Sequence, residues 1–255
     1  MVTRRQFLFG CAGTLAALSG ASFASEYKKI NKSIPILLYH RVGYQLDNYT
    51  VSPTRFEDDM RTLSREGYTC LSLAQVKQCL QSTRSTPLPD KSILITLDDG
   101  YLDNYINVFP ILQQYNMKAS FYIITGMIGE DDRLTASQIR EMQVAGMDFG
   151  SHTVTHRFLS ELTPAEMKIE LTNSKFTLEQ LLGKSIDFVA YPGGSYNTQT
   201  LTIAKEAGYE AGLSTHYGYE MFHSPFEMKR IPLFHYDRSI TYVMLRKGLL
   251  PTLLQ

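Results

Sequence analysis

Beyond residue 24, apolar runs of strand length alternate with segments of helical periodicity to the end of the chain. This alternation limits the fold more than any other feature. Strands that follow one another in parallel need long crossovers, usually helical, and a sheet covered by helices is what lets strands be apolar throughout. Residues 34–39 form the first apolar run. Ser52-Pro53 then opens a helix with Pro at its first position, Phe56, Met60 and Leu63 follow at helical spacing, and Gly67 ends it. Further strands are predicted at 68–72, 92–97, 118–124, 147–151, 187–190, 211–215 and 231–234. Helices are predicted between them. One is capped by Ser72 with Gln75, one runs through Val108, Leu112 and Tyr115, and one is capped by Thr135 with Gln138. A long one is opened by Thr163-Pro164-Ala165-Glu166 and closed by Gly183; two more span 198–207 and 239–247. Residues 82–91 read as a polar, proline-containing loop. Seven or eight strands, each followed by a helix or loop, predict an α/β fold, a single distorted (β/α)7–8 barrel over residues 25–255. A doubly wound open sheet is the alternative. No Gly/Ser-rich linker divides the chain and no internal repeat is evident.

Residues 1–24 read as an export signal. Arg4 and Arg5 precede a short, weakly apolar stretch, and Ser22-Phe23-Ala24 supplies small residues for cleavage. The string T-R-R-Q-F-L resembles a twin-arginine signal. It implies transient contact with the twin-arginine export machinery and a periplasmic or secreted destination. No apolar run reaches the roughly 20 residues a spanning helix needs, so no stable membrane span is expected. The 25 basic and 25 acidic residues balance; removing the signal takes away two arginines and leaves 23 against 25. That balance gives no electrostatic reason to expect nucleic acid as a partner. With Cys11 in the signal, Cys70 and Cys79 remain, too few for a disulfide scaffold, and they are expected to be unpaired.

In a barrel, reactive groups sit where strands end and loops begin. Asp98 and Asp99 fall at the tip of the strand S-I-L-I-T-L, His152 and His156 just beyond M-D-F-G-S, and His235 at the tip of R-I-P-L-F. Two His spaced by four fall on one side of a helical turn and can converge on one ion. One carboxylate from another strand completes a three-ligand set with open positions, leaving the second as a base for bound water. Each piece is weak alone: D-D-G is a common turn, and a lone His after a strand is usually structural. Their joint placement at successive strand ends carries the functional reading. Several Tyr in strand-end loops (Tyr44, Tyr49, Tyr101, Tyr196, Tyr217 and Tyr219) are candidates for stacking on sugar rings, and His40 is a candidate cleft residue.

The set T-L-D-D-G, H-T-V-T-H, A-Y-P-G-G and L-F-H resembles the NodB-type polysaccharide deacetylases, carbohydrate esterase family four. The opening I-P-I-L-L-Y-H-R-V, with F-E-D-D-M and R-E-G-Y, resembles the branch that includes poly-N-acetylglucosamine deacetylases. The resemblance implies a divalent metal ion, Zn2+ first and Co2+ or Ni2+ as alternatives. Asp99, His152 and His156 would be its ligands, Asp98 the catalytic base and His235 the general acid. Gly193 stands where the family has a Tyr whose backbone N–H enters the oxyanion hole. Ala190 stands where the family has an Arg that orients the base, a role left to Arg230 or another cation. The family's Asp-Trp motif is absent, because the chain has no Trp. The implied activity is hydrolysis of acetyl groups, N-acetyl first, on an acetylated glycan. A hydrolase of another small amide is the second reading, and a glycan-binding protein on a degenerate deacetylase scaffold the third.

Overall fold

The computed structural model describes residues 33–81 and 88–254. The expected export signal lies outside the described residues, as do residues 82–87 of the expected loop. The order is β1 (Ile36–Tyr39), β2 (Arg41–Val42), β3 (Thr50–Val51), α1 (Pro53–Arg65), β4 (Thr69–Cys70), α2 (Leu73–Gln81) and β5 (Ser92–Leu97). A π-helical turn (Asn104–Val108) runs into α3 (Phe109–Gln114), followed by β6 (Ser120–Ile123), α4 (Ala136–Val144), β7 (Asp148–Ser151) and α5 (Pro164–Leu182). Then come β8 (Phe188–Ala190), α6 (Thr198–Glu206), β9 (Ala211–Leu213), β10 (Ile231–Pro232), α7 (Ile240–Val243), a π-helical stretch (Met244–Leu249) and α8 (Leu250–Leu253).

The main sheet runs β10-β1-β5-β6-β7-β8-β9 and every pairing in it is parallel. Its ends meet through the chain before β10. Met228 exchanges backbone hydrogen bonds with Gly212 and Ser214 beside β9, while Ile231 and Pro232 pair with β1. The sheet is therefore a barrel, as the βα alternation predicts, and not an open doubly wound sheet. Alternate residues divide two cores. Ile36, Leu94, Tyr122, Phe188, Ala190, Ala211 and Leu213 pack together inside the barrel. Leu37, Ile95, Phe121, Phe149 and Val189 pack outward under the helices. Leu73 and Val76 of α2 join the inner cluster, and the Leu73 N–H donates to Asp148 at the start of β7, so α2 covers the N-terminal end. Gly150 is required inside the barrel, where a Cβ would overlap the Tyr122 ring.

The expected caps form. Ser52, Thr135 and Thr163 each accept an N–H from the first turn of their helix, and Thr135 and Thr163 complete capping boxes with Gln138 and Glu166. Gly183 ends α5 in the left-handed region. The last helix does not stop at residue 247 but continues to Leu253 through Gly248. There the helix lies so close to the barrel that a Cβ would overlap Tyr219 and Ile231. The small β2–β3 pair is not evident in the sequence pattern. Cys70 and Cys79 are free thiols.

Candidate metal centre and active site

Strand register brings the chemistry to one end of the barrel. Tyr39 pairs with Leu97 and Ile123 with Ser151, so His40, Asp98 and His152 leave their strands on the same rim. On β5, Leu94 points inward and Leu97 outward, and Asp98 continues the inward set. Asp99, one residue on, turns away with φ +75, and Gly100 follows at +66. The two carboxylates therefore face different partners.

Asp98 is gripped by Arg230. The guanidinium donates to Oδ1 at 2.8 Å and to Oδ2 at 2.7 Å, and also to the Ser214 carbonyl at 2.8 Å and the Thr96 hydroxyl at 3.3 Å. Both groups are buried. Burial pushes the Asp98 carboxyl up, but the Arg230 charge and then His152 outweigh it and hold it below its ordinary range. Arg230 is thus the cation paired with Asp98, and Ala190 supplies none. It arrives from the segment before β10, 40 residues beyond Ala190.

Asp99, His152 and His156 form the other half. Asp99 Oδ1 lies 3.4 Å from His152 Nε2 and 3.3 Å from His156 Nε2, and the three donor atoms all lie within 4.8 Å of one another. Asp99 Oδ1 is buried with no ordinary hydrogen-bond partner. Ligands at about 2.0–2.2 Å from a tetrahedral ion stand about 3.4 Å apart, so the set fits a divalent ion such as zinc. His152 Nδ1 bonds the Ala190 carbonyl at 2.7 Å, which orients the ring and turns Nε2 toward the cluster. Burial lowers the pKa of His156, while Asp98 and then Asp99 outweigh burial to raise that of His152.

The two histidines converge for a different reason than helical spacing suggests. Residues 152–156 form a loop, not a helical turn. Thr153 and His156 both have positive φ, +66 and +62, each costing about 1–3 kcal/mol and needing outside support. The support is Glu170 of α5. This buried carboxylate accepts the N–H groups of Val154 at 2.8 Å and Thr155 at 2.9 Å and the Thr155 hydroxyl at 2.5 Å. Thr153 Oγ1 accepts the His156 N–H at 3.1 Å. Behind Asp99, Arg133 donates to its carbonyl at 3.0 Å and stacks on Tyr101 at 4.0 Å, while Arg41 covers the ring at 4.2 Å.

Of the remaining candidates, His40 borders this core, whereas Gly193 and His235 make none of its contacts. Gly193 has φ +60, and its missing Cβ is replaced by the Phe158 ring, so the turn after β8 needs glycine there. His235 is exposed, its ring edge-on to Tyr236 at 5.2 Å and its backbone N–H donating to the Asn48 carbonyl at 3.2 Å. His40 lies level with Asp98, and its Nδ1 is buried without a hydrogen-bond partner. Burial pushes its pKa down, opposed by Asp98 and then Asp99. Glu170 stands outside every motif that marks the site in the sequence. An acid on a helix sixteen residues from the loop it holds gives no local signal.

Residues 85–212 match the family model for polysaccharide deacetylase. The chain is 35% identical over 185 residues to Bacillus subtilis (strain 168) YxkH, named for a polysaccharide deacetylase; the match covers 72% of this chain and 65% of that protein. It is 30% identical over 211 residues to the poly-beta-1,6-N-acetyl-D-glucosamine N-deacetylase of Staphylococcus aureus (strain MRSA252), covering 76% of this chain and 72% of that one. The solved structure of Streptococcus pyogenes deacetylase PplD in complex with acetate superposes with a TM-score of 0.78 at 32% identity, over 84% of this chain and 97% of that one. With its barrel, its motifs and these relatives, the chain belongs to the polysaccharide deacetylase family, on the NodB type of barrel.

Proposed function

We propose that this protein is an exported, metal-dependent hydrolase that removes N-acetyl groups from an amino-sugar polysaccharide. The observation that carries the reading is the Asp99, His152 and His156 donor set, with Asp99 and His152 buried and His156 half-buried, beside a separately held Asp98. A pure binding protein has no need of both. The name of the Staphylococcus relative makes a β-1,6-linked N-acetylglucosamine polymer the first glycan to test. Among the described residues no helix is long and apolar enough to cross a membrane. The case for export rests on the twin-arginine-like residues 1–24.

Asp99, His152 and His156 would hold the ion. When bound, it supplies Lewis acidity toward water and the acetyl carbonyl. Asp98, kept ionised by Arg230, accepts a proton from the attacking water. The Gly193 N–H donates to the oxygen on which negative charge develops. His235 gives a proton to the departing amine in the reading drawn from the L-x-H motif. His40 is the second candidate, favoured by its register beside Asp98. Separate His40→Ala and His235→Ala variants decide between them: loss of the true acid removes the basic limb of the kcat profile.

The test is to purify the mature protein, measure bound divalent metal, and assay acetate release from β-1,6- and β-1,4-linked N-acetylglucosamine oligomers. Stoichiometric metal and acetate release that Asp98→Asn abolishes are expected. Bound metal and glycan affinity with no acetate from any oligomer would replace this reading by the glycan-binding one. Release unaffected by Asp98→Asn would remove Asp98 as base.

A further inference from the structure

We infer that the rim between β10 and β1 is a sugar-stacking subsite, built from the rings of Tyr49, Phe234 and Tyr236, that favours oligomeric over monomeric acetylated glycan. The inference rests on the hydrolase reading above and extends it to the shape of the substrate.

The rings form a row that starts at the catalytic rim. His40, level with Asp98, packs on Tyr49 with ring centroids 5.1 Å apart. Tyr49 meets Phe234 edge-on at 5.7 Å, and Phe234 stacks on Tyr236 at 5.4 Å with 20° between the planes. The outer rings are open: Tyr49 is 52% and Tyr236 62% exposed. Scattered exposed aromatics are ordinary, but a contiguous row leading to a site marks a binding surface.

The row is ordered before any ligand arrives. The Lys247 ammonium lies 4.4 Å from the Phe234 centroid and is itself tied to Asp237 Oδ2 at 2.6 Å and the Pro232 carbonyl at 3.0 Å. The Phe234 N–H donates to the same Asp237 carboxylate at 2.8 Å, and Arg55 of α1 donates to the Asp237 carbonyl. A rigid platform lowers the entropic cost of binding. The Lys247 charge is matched by Asp237, so the row suits a neutral ligand better than an anionic headgroup. Flat apolar faces edged by Tyr hydroxyls complement pyranose rings, which carry C–H faces and hydroxyl rims. A monomer in the catalytic position would miss this row, whereas a chain leaving toward β10 would lie along it.

The experiment compares kcat/KM for the β-1,6-linked N-acetylglucosamine hexamer with that for the monomer, in wild type, Tyr49→Ala/Tyr236→Ala and Tyr49→Phe/Tyr236→Phe. The hexamer-to-monomer ratio should fall about tenfold in the Ala pair and stay near wild type in the Phe pair, which keeps the rings. Calorimetric titration of the hexamer into each protein should show the same order. An unchanged ratio in an Ala pair whose near-UV spectrum matches wild type would overturn the subsite. If wild type releases no acetate from either sugar, the hydrolase reading has failed. The titration then decides the subsite alone: about tenfold weaker hexamer binding by the Ala pair supports it, and equal or absent binding overturns it.

Discussion

The two sides of the barrel mouth are built on opposite principles. Around β5, β7 and β8 the candidate site residues are positioned by other parts of the chain, and the Asp99 carboxylate is left for the histidines it faces. Arg230 grips Asp98 with two hydrogen bonds, the Ala190 carbonyl orients His152, Glu170 fixes the loop between the histidines, and Arg133 ties down the Asp99 carbonyl. Around β10 and β1 the rings of Tyr49, Tyr236 and His235 face solvent, and what is held is the turn beneath them. Buried charges need fixed partners because an unpaired one is costly in a low dielectric. A surface that meets a neutral polymer needs only ordered apolar faces. The first side would perform chemistry and the second would recognise.

The largest effect should come from breaking the first side at its centre. Chelation, or His152→Ala, should lower acetate release by about a thousandfold or more, roughly 4 kcal/mol in the barrier, and re-addition of metal should restore only the chelated wild type. Next, Arg230→Met leaves Asp98 buried without its cation. Chemical denaturation should show a loss of about 3–5 kcal/mol, with most of the stability returning in Arg230→Met/Asp98→Asn. A return confined to the double variant would show that the uncompensated carboxylate, not lost packing, is the cause.

Glu170→Ala sharpens the same side without touching a ligand. Removing the carboxylate leaves the N–H groups of Val154 and Thr155 without their acceptor, so the loop carrying His152 and His156 loosens. Metal affinity, read by competition with a chromophoric chelator, should fall about 10–100-fold while the melting transition stays cooperative. Unchanged affinity would show that the loop holds its strained conformation without α5.

The smallest effect lies under the second side, at Asp59 of α1. It accepts from the Tyr39 hydroxyl at 3.1 Å and from Arg55 at 2.9 Å. Burial outweighs Arg55 and pushes its pKa to about 6, above the unfolded value. A raised carboxyl pKa means that folding takes up a proton. Its contribution to stability is therefore complete below about pH 4 and is lost as pH rises through about 6, at most about 3 kcal/mol. Denaturation midpoints of wild type should carry this slope, and Asp59→Asn should flatten it.

Much of this was readable along the chain. The βα alternation, the Ser52, Thr135 and Thr163 caps, and the strand-end placement of Asp98, Asp99 and His152 are local facts, set by apolar periodicity and side-chain hydrogen bonds within a turn. The convergence of His156 with His152 was also legible, but its cause was not. A four-residue spacing suggests helix, whereas the chain makes a loop with two left-handed residues, held by Glu170 on α5, by the Thr153 hydroxyl and by the backbone of residues 125–126. Gly248 sits inside the last helix because it touches Tyr219, a contact no local pattern encodes.

The sequence by itself determined the barrel and the gathering of Asp98, Asp99 and His152 at its rim, because strand ends in a βα repeat necessarily gather at one rim. Tertiary structure alone decided which cation pairs with Asp98 and which acid holds the histidine loop. It also decided that rings from the 40–50 loop and the chain after β10 form one row. Those choices join residues from 15 to 185 positions apart, Glu170 with Thr155 at one end and Tyr49 with Phe234 at the other. Closing the sheet between β9 and β1 brings such residues together, and burial then requires each charge among them to find a partner.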